Sequence, residues 1–559
     1  MLKLPVSALN ALQQGILPAY KIRIHFQSPQ DYTEADNLKT VSSFRWSLSK
    51  SGQYEITNGR ITLMNTDYYF SRFFERELPD NKRVELYMLI GDSETLLSSC
   101  VIRGWTLSGN SVDLDVNARI LLDPLALRTT SVYSSPRDIS VLKRIYGDHS
   151  NSRINCTPLD RDGYIYHASD IPMQSITRVF VGREPQTAGF TAYPAYQDET
   201  GKSIACVVFD EAQYDKTVSI SGKGAIDLDS GALIENPADF IEDVFLNLQG
   251  YDAASIDSVE LDRFRAVCLK KDIKIALVLD DSRVTIKTLL DELALNTGAQ
   301  WLLSDDKSIM RLKGVISTET ACFDFVEPEM DADSFSITSG ELINEVTVNY
   351  AWNPADGQFM SSLTKHSPLS KLIYGEAKQT FNLKMIQGTR QAEYLCDAIL
   401  GTSSVPELLT SFKHDFRSVH VEVGDTCTVT HQAGVGPAGF NKARAIVIGK
   451  DMDNNYTVRM ERENALYTSE LLTLTQTARP GTPGGFTMTS EGNVRTFTFF
   501  VILSDGSYGE PLEGAEITIG GVTEITDRAG QVKFILDSGR YSIKAECPGY
   551  ASSVTQITI

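Results

Sequence analysis

No stretch of this 559-residue sequence approaches the roughly 18 uncharged apolar residues that a membrane-spanning helix needs. A spanning helix is therefore not expected. Cys100, Cys156, Cys206, Cys268, Cys322, Cys396, Cys427 and Cys547 stand singly, with no C-x-x-C and no paired spacing, which argues against a disulfide framework. They read as buried thiols of a protein assembled in a reducing cytoplasm. The seven histidines are equally dispersed, so no zinc site built from cysteine and histidine is expected; His414 and His420, the nearest pair, read as ordinary polar residues on or beside strands. Positive charge is also scarce. Lys and Arg number 52 against 72 Asp and Glu, a net charge of −20, which gives a poor footprint for gripping phosphate backbones. Stable nucleic-acid binding is disfavoured. The first twenty residues hold one lysine, Pro5 and the polar Asn10, Gln13 and Gln14, and so lack the apolar core of a signal peptide.

Reactive motifs are missing as well. There is no G-x-S-x-G, no phosphate-cradling Gly-rich loop, no H-E-x-x-H and no G-x-G-x-x-G. Acidic clusters at Asp227/Asp229, Asp280/Asp281, Asp305/Asp306 and Glu327/Glu329/Asp331/Asp333 fall in turns, where Asp suits the backbone geometry and water. Paired carboxylates can cleave glycosides or bind calcium, but nothing else in the sequence supports either chemistry. The chain is expected to be no enzyme, with no cofactor and no metal. Trp46, Trp105, Trp301 and Trp352 lie on or beside predicted strands and read as core or interface residues.

What is present is ordinary folded protein, 42% hydrophobic and 22% charged, in a chain long enough for roughly three to five domains. Residues 1–122 alternate apolar and polar residues in short runs, among them Tyr20–Phe26, Ser43–Ser49, Gly59–Met64 and Val84–Ile90, which predicts an all-β meander or barrel. Within it, Ile61–Ser71 sets a strand against an Asn-Thr-Asp turn followed by aromatics, so that Tyr68, Tyr69 and Phe70 become candidate subunit contacts. Residues 123–223 read as a small β-domain with mobile loops such as Thr187–Ser203, and Tyr164 and Tyr166 as further contact candidates.

Residues 224–324 change character. Asn236-Pro237-Ala238-Asp239 offers a cap, a Pro at the first helical position and an early acid, followed by Phe240, Ile241, Val244, Phe245 and Leu248 at helical spacing. Further helices are predicted at Ser258–Lys270 and Thr285–Asn296, the latter stopped by Gly298, with a buried strand at Ile273–Leu279 and a hairpin from Trp301 to Leu312 through residues 304–307. Residues 325–477 read as a second β-domain with one helix, 478–485 (ARPGTPGG) as a hinge, and 486–559 as a separate run of short strands.

In the fourth unit Leu342–Tyr350 (LINEVTVNY), Ser370–Gly375 (SKLIYG), a helix at Thr389–Leu400 and Val421–His431 (VEVGDTCTVTH) follow one another as strand, strand, helix and Gly-Asp hairpin. This order resembles that of bacteriophage tail-tip and baseplate hub proteins, and the resemblance spans roughly Tyr20–Arg462. It adds Tyr374 and Asp425 to the candidate contacts. Pro511–Ala515, Thr526–Gly530, Gly539–Tyr541 and Pro548–Tyr550 resemble in turn a carboxypeptidase-regulatory-like β-sandwich.

The resemblance implies a multidomain, mainly β chain with an α+β lobe: two tail-tube-like β-barrel domains, an inserted β-domain and a C-terminal Ig-like β-sandwich. It implies a homotrimeric ring in the virion, assembled in the host cytoplasm. That ring joins the distal tail protein and tail tube above to fibre or needle proteins below, near the tape-measure protein, with the bacterial surface met indirectly and DNA only in transit. The alternatives weighed against it are a secreted glycan-binding or glycan-cleaving protein and a surface adhesin. Both would want an export signal.

Overall fold

The computed structural model describes residues 4–461 except 43, 50–51, 57–58, 119–122, 132–138, 160–163, 199–200, 214–215, 229, 304–308, 315–320 and 436–438. Beyond them it describes 472–474, 483–493, 496–505, 514–526, 531–537, 540–546 and 553–558. The fold is mainly β with a helical lobe, as the sequence predicts.

Seven antiparallel strands form the first sheet, in the order Gln30–Thr33, Ala19–Ile24, Arg83–Ile90, Ser93–Leu107, Ser111–Ala118, Gly59–Met64 and Leu38–Ser42. Alternation fixes its faces: Ile22, Ile24, Leu86, Met88, Ile61, Leu63, Leu114 and Val116 point into one core. The two edge strands are joined by the turn at 34–37, so the sheet must curl to bring its edges near each other. No ladder joins those edges, and no described sheet closes into a barrel, which corrects the barrel expectation.

Arg45–Leu48 belongs elsewhere. Predicted within the first domain, it pairs instead with Phe440–Asp451, Trp46 lying opposite Lys450, and with Tyr54–Ile56. It thereby extends the second large sheet, whose path runs Asp324–Val326, Thr426–His431, Phe440–Asp451, Asn455–Met460, Leu408–Lys413 and Ser336–Ser339. The first strand of that path is parallel to its neighbour and the others are antiparallel. A separate three-stranded sheet, Gln358–His366, Glu345–Asn353 and Lys378–Asn382, packs on the helix Thr389–Ser403 through Val346, Val348, Leu395 and Cys396.

Between residues 154 and 225 two four-stranded sheets enclose a core of their own, with Ile154, Tyr166, Val179, Val207 and Ile220 inside. Part of the presumed loop at 187–203 is the edge strand Phe190–Gln197, half-exposed and bulged where Pro194 interrupts its register.

Helix ends in the lobe fall where capping chemistry predicts them. Asn236 accepts from the Ala238 N–H ahead of Pro237–Asp243, which continues into a π-helical stretch at Val244–Leu248. Thr285 caps Ile286–Thr297, and Gly298, at φ +66, ends it. Ser258–Lys271 forms as predicted. Of the expected strand at Ile273–Leu279 only Leu277–Leu279 is strand. Ala299–Leu303 pairs with Met310–Gly314, while the turn at 304–307 lies outside the described residues.

Trp301 in that hairpin is fully buried. Its ring meets Tyr54 edge-on at 5.7 Å and its Nε1–H donates to Asp291 Oδ1 at 2.8 Å. Gly52 accepts from the Trp301 N–H, and at φ +81 a Cβ there would lie 2.1 Å from the Ala299 carbonyl oxygen. Only glycine allows the Arg45–Ile56 segment to come this close to the lobe.

Ser370–Gly375, read as a strand, is helical: Pro368–Tyr374 forms one short helix. Pro368 at its first position carries a φ already suited to helix, Leu369 and Ser370 are buried, and Gly375 at φ +78 releases the chain. The hinge 478–485 lies partly outside the described residues, and from Pro483 the chain is already in the strand Pro483–Asn493. The C-terminal strands form two four-stranded antiparallel sheets. The signature turns at 511–513, 527–530 and 547–550 lie outside the described residues.

Candidate interaction surfaces

The most exposed aromatic group grows out of a single buried asparagine. Asn65 ends the strand Gly59–Met64; its Oδ1 accepts the Phe70 N–H at 2.9 Å, and its Nδ2 donates to Ser71 Oγ at 3.1 Å and to the Ser108 carbonyl at 3.3 Å. Those bonds hold Asp67 and Tyr68 in the left-handed region, at φ +52 and +57, and start the helix Tyr69–Phe74. Tyr68 is 62% exposed and Tyr69 is half-exposed, stacked on Phe73. Phe70 points the other way. It is fully buried against Tyr32 and Phe74, so it supports the turn and presents no surface. Asn65→Ala is expected to cost about 1–3 kcal/mol, because the buried Phe70 N–H loses its acceptor, and urea unfolding would measure it.

In the 154–225 unit Tyr164 is half-exposed, whereas Tyr166 is buried, its hydroxyl donating to the Gln213 carbonyl and its ring edge-on to Phe209. Tyr166 lies within the strand Ile165–Ser169 and faces the core, whereas Tyr164 precedes that strand. Tyr193 and Tyr196, which the sequence reading passed over, are half-exposed on the edge strand with ring centroids 5.6 Å apart.

The helix Pro368–Tyr374 presents an apolar surface. Leu372, Ile373 and Tyr374 are consecutive and 42–45% exposed, while Leu369 anchors the inner face. Lys371 and Lys378 pair with Glu345 and Glu376 beside it, so the charge next to the patch is internally balanced. A half-open cavity of about 420 Å³ lies nearby, lined by Ile343, Phe381, Leu395 and Ile399 with Gln379 and Glu341 among its polar groups. Asp425 is buried, and its Oδ2 accepts the Glu422 N–H at 2.9 Å, closing the turn that Gly424 makes. It shapes the strand entry from inside.

Four of the described thiols carry little nucleophilic character. Burial pushes Cys156 and Cys268 up to about 12, and Cys206 and Cys396 up to about 11, so each is protonated at neutral pH. The acidic clusters serve turns. Asp227 accepts from the Ser230 N–H and Oγ–H; the Arg283 guanidinium and N–H hold the exposed Asp281 down to about 2. Asp229, Asp305 and Asp306 lie outside the described residues. Two acids reach further: Glu327 Oε2 accepts the Gln432 N–H at 2.8 Å, and Glu329 faces an imidazole, His414. No helix among the described residues is long and apolar enough to cross a membrane.

The chain matches no protein-family model and no curated protein. Among solved structures it is similar to prophage tail protein gp18 from Listeria monocytogenes EGD-e, at 11% identity and a TM-score of 0.37, over 79% of this chain and 95% of that one. It is similar to a chain in the virion of a native gene transfer agent particle, at 12% identity and 0.36, over 63% and 89%. A chain of the Francisella PdpA-VgrG complex aligns at 6% identity and 0.29, over 98% and 73%. Scores this low do not establish a shared fold.

Proposed function

We propose that this chain is a structural subunit of a bacteriophage tail, placed at the tail tip or baseplate hub and assembled there as a homotrimer. The observation that carries the reading is the coincidence of sequence motif and surface. The segment Ser370–Gly375, part of the ordered run that resembles hub proteins, is also the segment that exposes Leu372, Ile373 and Tyr374 together. Consecutive exposed apolar side chains are the kind of surface at which proteins meet, which supports the reading. Tyr68 and Tyr69, adjacent at the Asn65 turn, and Tyr164 supply further exposed aromatics.

In this reading the two large sheets, tied together by the crossing strand Arg45–Leu48, form the rigid frame of the subunit. The C-terminal sheets carry fibre or needle proteins, and the acidic surface lets DNA pass without adhering. The work is mechanical: contacts that differ between two assembled states move the ring when host binding is transmitted.

Mass photometry of the purified full chain tests the assembly. A trimer is expected, with Ile373→Glu shifting the population to monomer at the same concentration, because a charge at the centre of an apolar contact must be desolvated without a partner. A wild-type chain that stays monomeric, or an Ile373→Glu chain that remains trimeric, would remove this surface from the assembly.

A further inference from the structure

The turn Glu327–Glu329 is fastened to the end of the strand Leu408–Lys413. Met330 and His414 form a β-bridge, the Asp415 N–H donates to the Glu329 carbonyl at 3.1 Å, and the Asp331 N–H donates to the Lys413 carbonyl at 2.9 Å. The His414 side chain is wholly buried there, edge-on to Phe323 and Phe325 at 5.5 and 5.1 Å.

The two imidazole nitrogens have different surroundings. Nδ1 lies 3.3 Å from both the carbonyl oxygen and the Oδ1 of Asp415. Both are acceptors, so Nδ1 carries the ring proton. Nε2 is then an acceptor. Among the described residues it has no hydrogen-bond partner, and it faces another acceptor, Glu329 Oε2, at 3.5 Å. A buried acceptor without a protein partner is an atom that a water or a bound ion can satisfy.

Arg417 completes the arrangement. Its guanidinium takes Glu329 Oε1 at 2.7 Å and Asp415 Oδ2 at 2.5 Å, leaving the other oxygen of each carboxylate turned towards the imidazole. Ligand atoms from Glu329, His414 and Asp415 all lie within 4.8 Å of one another. Two ligands bonded at about 2.1 Å to a tetrahedral metal ion stand roughly 3.4 Å apart, which matches the Nε2 to Oε2 separation.

We propose that Glu329 Oε2 and His414 Nε2 bind a divalent transition-metal ion of the Zn²⁺ or Co²⁺ kind. Asp415 orients the imidazole through Nδ1–H, as carboxylates behind metal-bound histidines do. Water fills the remaining positions from the side on which Glu329 and Asp415 are about a quarter exposed. An imidazole ligand selects against Ca²⁺ and Mg²⁺, which take oxygen. The ion would tie the 327–329 turn to the second large sheet.

The test uses the full chain, stripped with EDTA and titrated with Co²⁺ while its visible d–d absorption is followed, then with Zn²⁺ by equilibrium dialysis and thermal melting. One equivalent is expected to bind, to raise the melting temperature, and to bind at least about tenfold more weakly in Glu329→Gln and His414→Gln. His366→Gln, at an exposed histidine on another sheet, should match the wild type. Circular dichroism establishes that Glu329→Gln is folded, and that variant alone decides the matter if His414→Gln is not. Wild-type chain that takes up no ion, or Glu329→Gln that binds as tightly as wild type, overturns the site.

Discussion

Trp301→Ala is expected to destabilise the chain by about 3–5 kcal/mol, the range for deleting a fully buried large aromatic ring. Two effects add. The cavity left behind borders Tyr54, whose ring meets the indole edge-on, and Asp291 loses the indole N–H while keeping Lys287 at 2.7 Å. The second effect reaches further. The Arg45–Ile56 segment rests on the lobe through Trp301 and Gly52, so amide exchange at Arg45–Leu48 should accelerate with the loss. Scanning calorimetry and hydrogen exchange measure the two effects, and Trp301→Phe should recover part of both. Unchanged exchange at Arg45–Leu48 would mean that its pairing with Phe440–Asp451 holds it without the indole.

Acid should weaken the fold well before the carboxylates protonate. His149 and His167 are buried, and burial lowers each pKa to about 4, whereas in an unfolded chain each titrates near about 6.5. His149 Nδ1 has Ser152 Oγ at 2.8 Å; His167 has no hydrogen-bond partner on either nitrogen among the described residues and sits near Asp170, Lys143, Arg128 and Lys202. Below about pH 6.5 the unfolded chain binds protons that the folded chain refuses, so stability is complete above that pH and falls as pH drops towards about 4. Each histidine contributes about 1.4 kcal/mol per pH unit across that window, or about 4 kcal/mol for the pair between about pH 7 and pH 5. Urea unfolding at the two pH values tests this. His149→Gln and His167→Gln should each flatten the dependence, whatever they do to stability itself. Stability that is level or rises on acidification would contradict the burial of these rings.

Local chemistry was legible in the sequence where it is decided locally. Asn236-Pro237 and the Thr285 to Gly298 helix announce their ends through caps that act over a few residues, and strand alternation chose the buried faces of the first sheet. What escaped depends on distance. Nothing near Trp46 says that it will lie opposite Lys450, because that pairing is chosen by packing across the chain. Ser370–Gly375 reads as a strand by its place in the ordered run, yet Pro368 and Gly375 bracket a helix turn there. Among the candidate contacts, residue type did not decide exposure: Tyr68, Tyr69, Tyr164 and Tyr374 face out, whereas Phe70, Tyr166 in the strand Ile165–Ser169 and Asp425 in its turn face in. Glu329 was visible only as one acid in a cluster, and His414 only as a dispersed histidine; the bridge between Met330 and His414 makes them neighbours.

Immunogold electron microscopy of intact particles from the source culture, with an antibody raised against residues 486–559, tests the central claim most directly. A subunit of the tail tip or baseplate hub predicts gold confined to one end of the tail, with the C-terminal sheets facing outward. Gold on bacterial surfaces, or antigen found only in the soluble fraction, would contradict it and favour an adhesin or a glycan-active protein.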